Sequence, residues 1–404
     1  MTESRPKIIG HGSYGHIYYP ALLWEPEDVA EEEPGDIRPN QVAKLMREKE
    51  ATKEMAKYRI FQRADPDAQF HLGNLRMARP SPQNAAVLSS MSDGKRIVRD
   101  LDNYRMILMD YGGMTARDYA NKCRAYAVAG VYNSAFKRDV FAFWKDTRRL
   151  VHGLQAMAHH GVVHHDIKPS NLMYDVSGKR LNLIDFGLVN HTDHICKRAR
   201  QGNYHLGIFY YNMPPELYFY DRARFEYWSR SSSEDREELL NKVLQSWQVP
   251  AARVAPTSTA PTATDLDTPY DEVEYSYTDS VKLTEREVTY LAEFERTLRT
   301  WQPGLTAPSL YQSMRDQFSC FVVHELGAFQ DFGTFLQTSV TTIDTYGLGH
   351  TLLYCLVNMY YYLPRPFTLG MYALIKEMLH HDMHHRITVP VLVERYQALM
   401  ALLD

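Results

Sequence analysis

Residues 164–171 read His-His-Asp-Ile-Lys-Pro-Ser-Asn, and residues 184–187 read Ile-Asp-Phe-Gly. Upstream, residues 141–160 carry the spacing of a long amphipathic helix, and Gly161 is a natural stop for it. Between the two motifs, Leu181-Asn182-Leu183-Ile184 reads as a strand running into Asp185. One short loop and one strand end therefore present Asp166, Lys168, Asn171 and Asp185 together. Phosphoryl transfer needs groups of this kind: an oriented hydroxyl, metal ions on the phosphates, and positive charge where negative charge develops.

The chain has 404 residues, 45% hydrophobic and 23% charged, which is the profile of a globular protein with room for two or three domain-sized units. A net charge of -4 argues against nucleic-acid binding through bulk electrostatics. Cys123, Cys196, Cys320 and Cys355 form no CxxC pair, so a reducing compartment without disulfides or structural zinc is expected. The segment MTESRPKIIG lacks an apolar signal core, which predicts an intracellular protein. Residues 348–363 form the longest apolar run, but His350 and Asn358 interrupt it, so it reads as a buried helix and not a membrane span.

Along the first 110 residues short strands alternate with one helix. Residues 7–9 and 16–19 flank a glycine turn, residues 25–36 are an acidic, proline-bearing solvated loop, and residues 41–46 form a strand. Residues 48–64 have helical spacing through Met55, Tyr58 and Phe61, stopped by Asp65-Pro66-Asp67. Residues 80–93 read as a polar loop, and residues 105–109 as a strand ending at Asp110-Tyr111-Gly112-Gly113. From Ala116 the pattern is mostly helical. Residues 250–280 are rich in Ala, Pro, Thr and Asp and read as a flexible loop, flanked by helical spacing over residues 232–247 and 283–301.

Gly10-His11-Gly12-Ser13-Tyr14-Gly15-His16-Ile17 fits a phosphate-cradling glycine loop, although alone it would serve equally as a hairpin turn. It lies upstream of Val42-Ala43-Lys44, and then come the 164–171 loop, Asp185-Phe186-Gly187 and Met213-Pro214-Pro215-Glu216. In this order the motifs resemble those of eukaryotic-type protein kinases over almost the whole chain. The YGG hinge, the ADPD turn and the enlarged helical region further resemble the serine/threonine kinases of large cytoplasmic DNA viruses. The resemblance implies an α+β bilobal fold: a β-rich N-lobe over residues 1–110 and a helical C-lobe over 111–404. An insertion would occupy about 220–337.

It further implies that Asp166 is the catalytic base, that Lys168 steadies transferred charge, and that Asn171 and Asp185 hold Mg2+ or Mn2+. ATP would lie under Gly10, Gly12 and Gly15, with Lys44 on its phosphates and Ile17, Ala43 and Leu172 around adenine. Met109 would gate the pocket, and the backbone of Asp110, Tyr111 and Gly112 would meet the adenine edge. Lys44 needs a helix glutamate. The expected slot falls near Lys57, and of the two glutamates on that helical face Glu54 is chosen ahead of Glu50. Glu216 would pair with Arg386, and Asp344 would hold backbone amides of the catalytic loop.

Lys168-Pro169 follows the serine/threonine form of the loop, so protein serine/threonine substrates are expected. His165 stands where many kinases carry the arginine that binds a phosphorylated activation loop. An imidazole substitutes poorly for a guanidinium, so activity independent of such phosphorylation is expected. Residues 209–212 lack the usual threonine pattern, which leaves peptide preference open. His380, His381, His384 and His385 read as a polar turn in preference to a metal site. Residues 191–196 read as a mobile segment, and 197–200 as a solvated basic loop. A binding module without catalysis and a small-molecule kinase are the competing readings. The first is opposed by the complete phosphate and metal set, the second by DIKPSN, Glu216 and Arg386.

Overall fold

The computed structural model describes residues 5–12, 15–25, 40–90, 94–204, 212–246, 285–302 and 310–404. Most of the expected acidic loop at 25–36, the segment 250–280 and residues 209–211 lie outside the described residues. The described chain divides into two compact units. The first holds residues 1–195, 340–379 and 387–404; the second holds 196–339 and 380–386.

The first unit opens with a five-stranded antiparallel sheet. Its strands are β1 (Lys7–Gly12), β2 (Gly15–Tyr19), β3 (Gln41–Arg47), β4 (Arg76–Ala78) and β5 (Tyr104–Asp110), in the order β1-β2-β3-β5-β4. The β3 strand is buried on both faces, and alternation separates its side chains into two sets. Tyr18 lies opposite Ala43, and Ala43 opposite Leu108, so these share one face with Leu45 and Met106. That face forms an apolar core with Leu22, Trp24 and Leu88. Ile17 and Ile107 lie opposite Lys44, and Met109 opposite Val42, so these occupy the other face.

Helix α1 (Glu48–Ala64) follows β3 directly and buries Ala51, Glu54, Met55, Tyr58, Phe61 and Ala64. The expected loop at 80–93 is instead partly helical. A 3-10 turn over Pro82–Asn84 leads into α2 (Ala85–Leu88), because Leu88 is drawn into the sheet core and Asn84 bonds the backbone of Leu23 on both sides. Helix α3 (Gly94–Arg99) follows and adds Ile97 to the same core.

Beyond β5 the first unit is mainly helical. It contains β6 (Met114–Thr115), α4 (Ala116–Val128), α5 (Ser134–His159), β7 (Val162–Val163), β8 (Leu172–Asp175), β9 (Arg180–Leu183) and β10 (Asn190–His191). Its last helices, all described within this unit, are α12 (Ile343–Met359), α13 (Arg365–Met378) and α14 (Val389–Met400). Helix α5 begins at an Asn133 cap that accepts from the Phe136 amide, about two turns earlier than its apolar spacing suggested. Nearly every residue of α12 is buried, as the 348–363 run predicted. No helix among the described residues is long and apolar enough to cross a membrane.

The 192–200 stretch is helix α6 (Thr192–Arg200), not the mobile and solvated loop its histidines and basic residues suggested. Ile195, Cys196 and Ala199 are buried on one face, which is reason enough for the chain to coil there. Cys123, Cys196 and Cys355 are buried free thiols.

The second unit contains α7 (Arg222–Arg230), α8 (Ser233–Ser246), α9 (Glu285–Trp301), α10 (Leu310–Cys320) and α11 (Phe332–Val340). Helix α10 continues into a π-turn over Phe321–Glu325. The buried Arg236 explains how these ends are closed. Its guanidinium donates to Val323 O at 2.6 and 3.0 Å and to Ser231 O at 2.9 Å, capping carbonyls at the C-terminal ends of α7 and the π-turn. Asp382 organises the histidine turn: His384 N donates to it at 2.9 Å and His385 Nδ1 lies 2.5 Å from it. Among the described residues no three or more His, Cys, Asp or Glu side chains gather as a metal-binding group.

Candidate active site

The candidate site lies within the first unit. Lys44 Nζ donates to both carboxylate oxygens of Glu54, at 2.8 and 2.7 Å, and all of it is buried. Glu50 instead holds Lys53 at 2.9 Å on the exposed side of α1, so the helix phase separates the two candidates. Asp185 Oδ1 stands 3.8 Å from Lys44 Nζ, with the Asp185 side chain 39% exposed. Burial works against the Lys44 charge, but Asp185 and Glu54 outweigh it and hold the ammonium above its ordinary value.

The loop after β7 centres on Asp166. Lys168 Nζ donates to Asp166 Oδ2 at 2.7 Å and Asn171 Nδ2 donates to the same oxygen at 2.8 Å. Asn171 Nδ2 also reaches Asp166 O at 2.9 Å, which closes the loop on itself. With its nitrogen so used, Asn171 presents its amide oxygen as the acceptor. Strand pairing brings Asn171 and Asp185 to the same end: Leu172 lies opposite Leu183, and Ile184 N donates to Asn171 O at 3.0 Å. One carboxylate and one amide oxygen are hard ligands of the kind a magnesium ion accepts while keeping several waters.

Asp344 fixes the loop from beneath. The backbone amides of His164 and His165 donate to its two oxygens at 2.7 and 2.8 Å. Burial pushes the Asp344 carboxyl up, and these donors pull against it. The loop carries backbone strain: His165 has φ 73° and Asp185 φ 63°, left-handed conformations that cost a non-glycine residue about 1–2 kcal/mol. Phe186 packs at 5.7 Å from His164, 5.3 Å from Tyr58 and 4.7 Å from Phe61, which locks the residue after Asp185 against α1.

His165 is buried, and its pKa is pushed down from 6.5 to about 3 by burial, then by His164 and Lys57. His350 is likewise lowered by burial to about 3. Both rings are neutral in the folded state, whereas the unfolded chain takes up protons below about pH 6.5. The unfolded state therefore binds more protons between pH 6.5 and about 3, and stability falls as pH falls through that window. From pH 7 to 5 each such histidine is expected to remove about 2 kcal/mol. Thermal melts at the two pH values check this, and His350→Gln is expected to flatten the dependence. An unchanged slope in that variant would show that His350 is not held neutral.

Two residues expected around adenine face the interior instead. Ala43 faces the apolar core of the sheet, and Val42 is the residue on the Lys44 face. Leu172 is 1% exposed and pairs inward with Leu183, whereas Met173 meets the hinge. A Cβ added to Gly112 would lie 2.8 Å from Met173 Cβ, so the chain approaches that closely only because residue 112 is glycine. Val42 is two residues from Lys44 and so shares its face, whereas Met173 is one residue from the inward Leu172 and so takes the opposite face.

At the hinge, Tyr111 N donates to Asn40 O at 2.6 Å and is already used. In an antiparallel ladder the flanking positions turn their backbone groups the other way, which leaves Asp110 and Gly112 for a ligand edge. Gly10, Gly12 and Gly15 lie on the β1–β2 hairpin, where Gly12 is opposite Gly15. Gly15 has a packing reason of its own, since a Cβ there would fall 2.3 Å from Leu45 O of β3.

Comparison with known proteins agrees with this arrangement. Residues 86–229 match the protein kinase domain family model. A 40-residue stretch is 50% identical to a probable casein kinase I homolog from Encephalitozoon cuniculi (strain GB-M1). That stretch covers 10% of this chain and 13% of that protein. Residues 86–229 therefore resemble a protein kinase domain, in a chain whose β-sheet N-terminal region leads into a helical C-terminal region.

Proposed function

We propose that the chain transfers the γ-phosphoryl group of ATP to serine or threonine side chains of proteins. The observation that carries this reading is the joint geometry of two clusters in one compact unit. Lys44 is held by Glu54 beside Asp185, and Asp166 is held by Lys168 and Asn171. In this reading Asp166 accepts the proton of the attacking hydroxyl, Lys168 balances charge on the group in transit, and Lys44 orients the nucleotide phosphates. Asn171 and Asp185 would hold the divalent ion, which supplies charge neutralisation at the phosphates. Ile17, Val42 and Met173 would flank adenine, Met109 would gate the pocket, and Asp110 and Gly112 would bind the adenine edge.

We place the lobe boundary between residues 110 and 111, with the insertion over about 220–337. Serine/threonine preference rests on Lys168-Pro169 and agrees with the name of the casein kinase I homolog. The narrower likeness to kinases of large DNA viruses rests on the YGG hinge, the ADPD turn and the enlarged helical region, and would place the protein in a virion or host cytoplasm. Activity without activation-loop phosphorylation follows from the buried neutral His165, which offers no cation to a phosphate.

The test is a labelled-ATP assay of phosphatase-treated full-length protein against a mixed protein extract, with phosphosites mapped by mass spectrometry. Transfer to serine and threonine at the untreated rate is expected. Transfer only to free small molecules would overturn the protein-kinase reading. An inert treated protein revived by a second kinase would overturn phosphorylation independence.

A further inference from the structure

The turn after α1 holds a buried polar chain that the phosphoryl-transfer chemistry does not use. Asp65, 3% exposed, accepts from Gln69 N at 2.7 Å, Phe70 N at 2.9 Å and His71 Nδ1 at 2.7 Å. Burial alone would raise its carboxyl, but these donors, His71 foremost, hold it below the ordinary value. His71, 1% exposed, reaches Tyr58 Oη through Nε2 at 3.4 Å, the loosest link of the chain. The Tyr58 oxygen also accepts from the Leu75 backbone, which leaves its own hydrogen for His71 Nε2.

Both ends of this chain are anchored. The 68–71 segment is fastened to the helical part of the same unit. Arg149 bonds Gln69 O, Leu183 N donates to Phe70 O at 2.9 Å, and His71 bridges Leu183. Phe70 packs against Gly153 of α5, where any added Cβ would lie 2.8 Å from the ring. At the other end, Tyr58 is on α1 exactly one i,i+4 step from Glu54, with Phe61 and Asp65 continuing the same face. The rings of Tyr58 and His71 also flank Phe186, at 5.3 and 5.8 Å.

We propose that Asp65, His71 and Tyr58 are positioning residues: a buried relay that sets the rotation of α1 and so keeps Glu54 on Lys44. This rests on the phosphoryl-transfer reading only for its consequence, since Lys44 orients phosphates only while Glu54 holds it. A helix can turn about its axis with little loss of apolar burial, whereas a directional hydrogen bond to an anchored loop resists that rotation. With this relay the paired state is built into the fold, in place of the contacts a phosphorylated loop would supply.

The experiment is amine-reactive labelling of Lys44 in the full chain without nucleotide, quantified by peptide mass spectrometry. Tyr58→Phe keeps the ring and removes only the hydroxyl; His71→Asn keeps a donor for Asp65 and removes the reach to Tyr58. Each is expected to raise the Lys44 labelling rate roughly fivefold, the shift that goes with one lost buried hydrogen bond. The double variant should label no faster than Tyr58→Phe alone, because that change already cuts the link that His71→Asn removes. Tyr396→Phe loses a comparable buried bond, to Trp144 O at 3.2 Å, and should leave Lys44 labelling unchanged. Unchanged labelling in Tyr58→Phe, or an equal rise in Tyr396→Phe, would overturn the relay. The readout needs neither nucleotide nor transfer, so its outcome is separate from that of the kinase reading.

Discussion

Replacing Asp166 by Asn is expected to slow phosphoryl transfer by roughly 10²–10⁴-fold while nucleotide affinity stays within about twofold. The carboxylate gathers Lys168 and Asn171 on one oxygen, so a same-sized amide preserves the loop's outline. What it loses is the ability to take a proton, and an amide nitrogen turned toward Lys168 would meet donor with donor. Binding should survive because, in the proposed reading, the nucleotide is held by Lys44, the hinge and the glycine hairpin. Steady-state rates on a mapped protein substrate, together with titration of a fluorescent nucleotide, separate the two quantities. Turnover at the parental rate would remove Asp166 from the chemistry and revive the reading of a binding module.

The second large effect concerns stability. Arg386 donates to Glu216 at 2.5 and 3.1 Å, with both side chains at 0% exposure. Arg386 Nε also donates to His380 O at 2.8 Å, so the pair closes the 380–386 turn within the second unit. Removing either partner leaves the other charge buried and uncompensated, which costs about 3–5 kcal/mol. Glu216→Leu and Arg386→Met are each expected to destabilise by that amount in chemical denaturation followed by a probe in the second unit. The double variant should recover most of the loss, since desolvation offsets much of the pair's attraction. Additive losses would show that the two side chains act independently.

Reading alternation along β3 and β8 explains where sequence reasoning succeeded and where it slipped. Asp166, Lys168, Asn171 and Asp185 are legible because their chemistry and spacing are local: one loop and the strand end that follows it. Ala43 and Leu172 both face the interior, although residues 41–46 read as a strand. In a strand a shift of one exchanges the two faces, so locating an element does not locate its side chains. Buried Leu88 turned an expected loop at 80–93 helical, and three buried residues did the same for 192–200. Polar composition hid both, because a few well-spaced apolar residues suffice to dock a short helix.

Sequence alone determined the order of motifs, the sheet-then-helices plan, and the residues to which the proposed reading gives phosphate, metal and proton. These depend on residue type and on separations of a few positions, which covalent geometry transmits directly. Tertiary structure makes the contacts that the resemblance only implied: Glu54 meets Lys44, and Asp344 grips the loop from 180 and 179 positions away along the chain. It also decided that Asp65, His71 and Tyr58 join behind Phe186. Such contacts depend on the rotation of a helix and the packing of distant elements. Their energies become visible only when burial removes water as the competing partner.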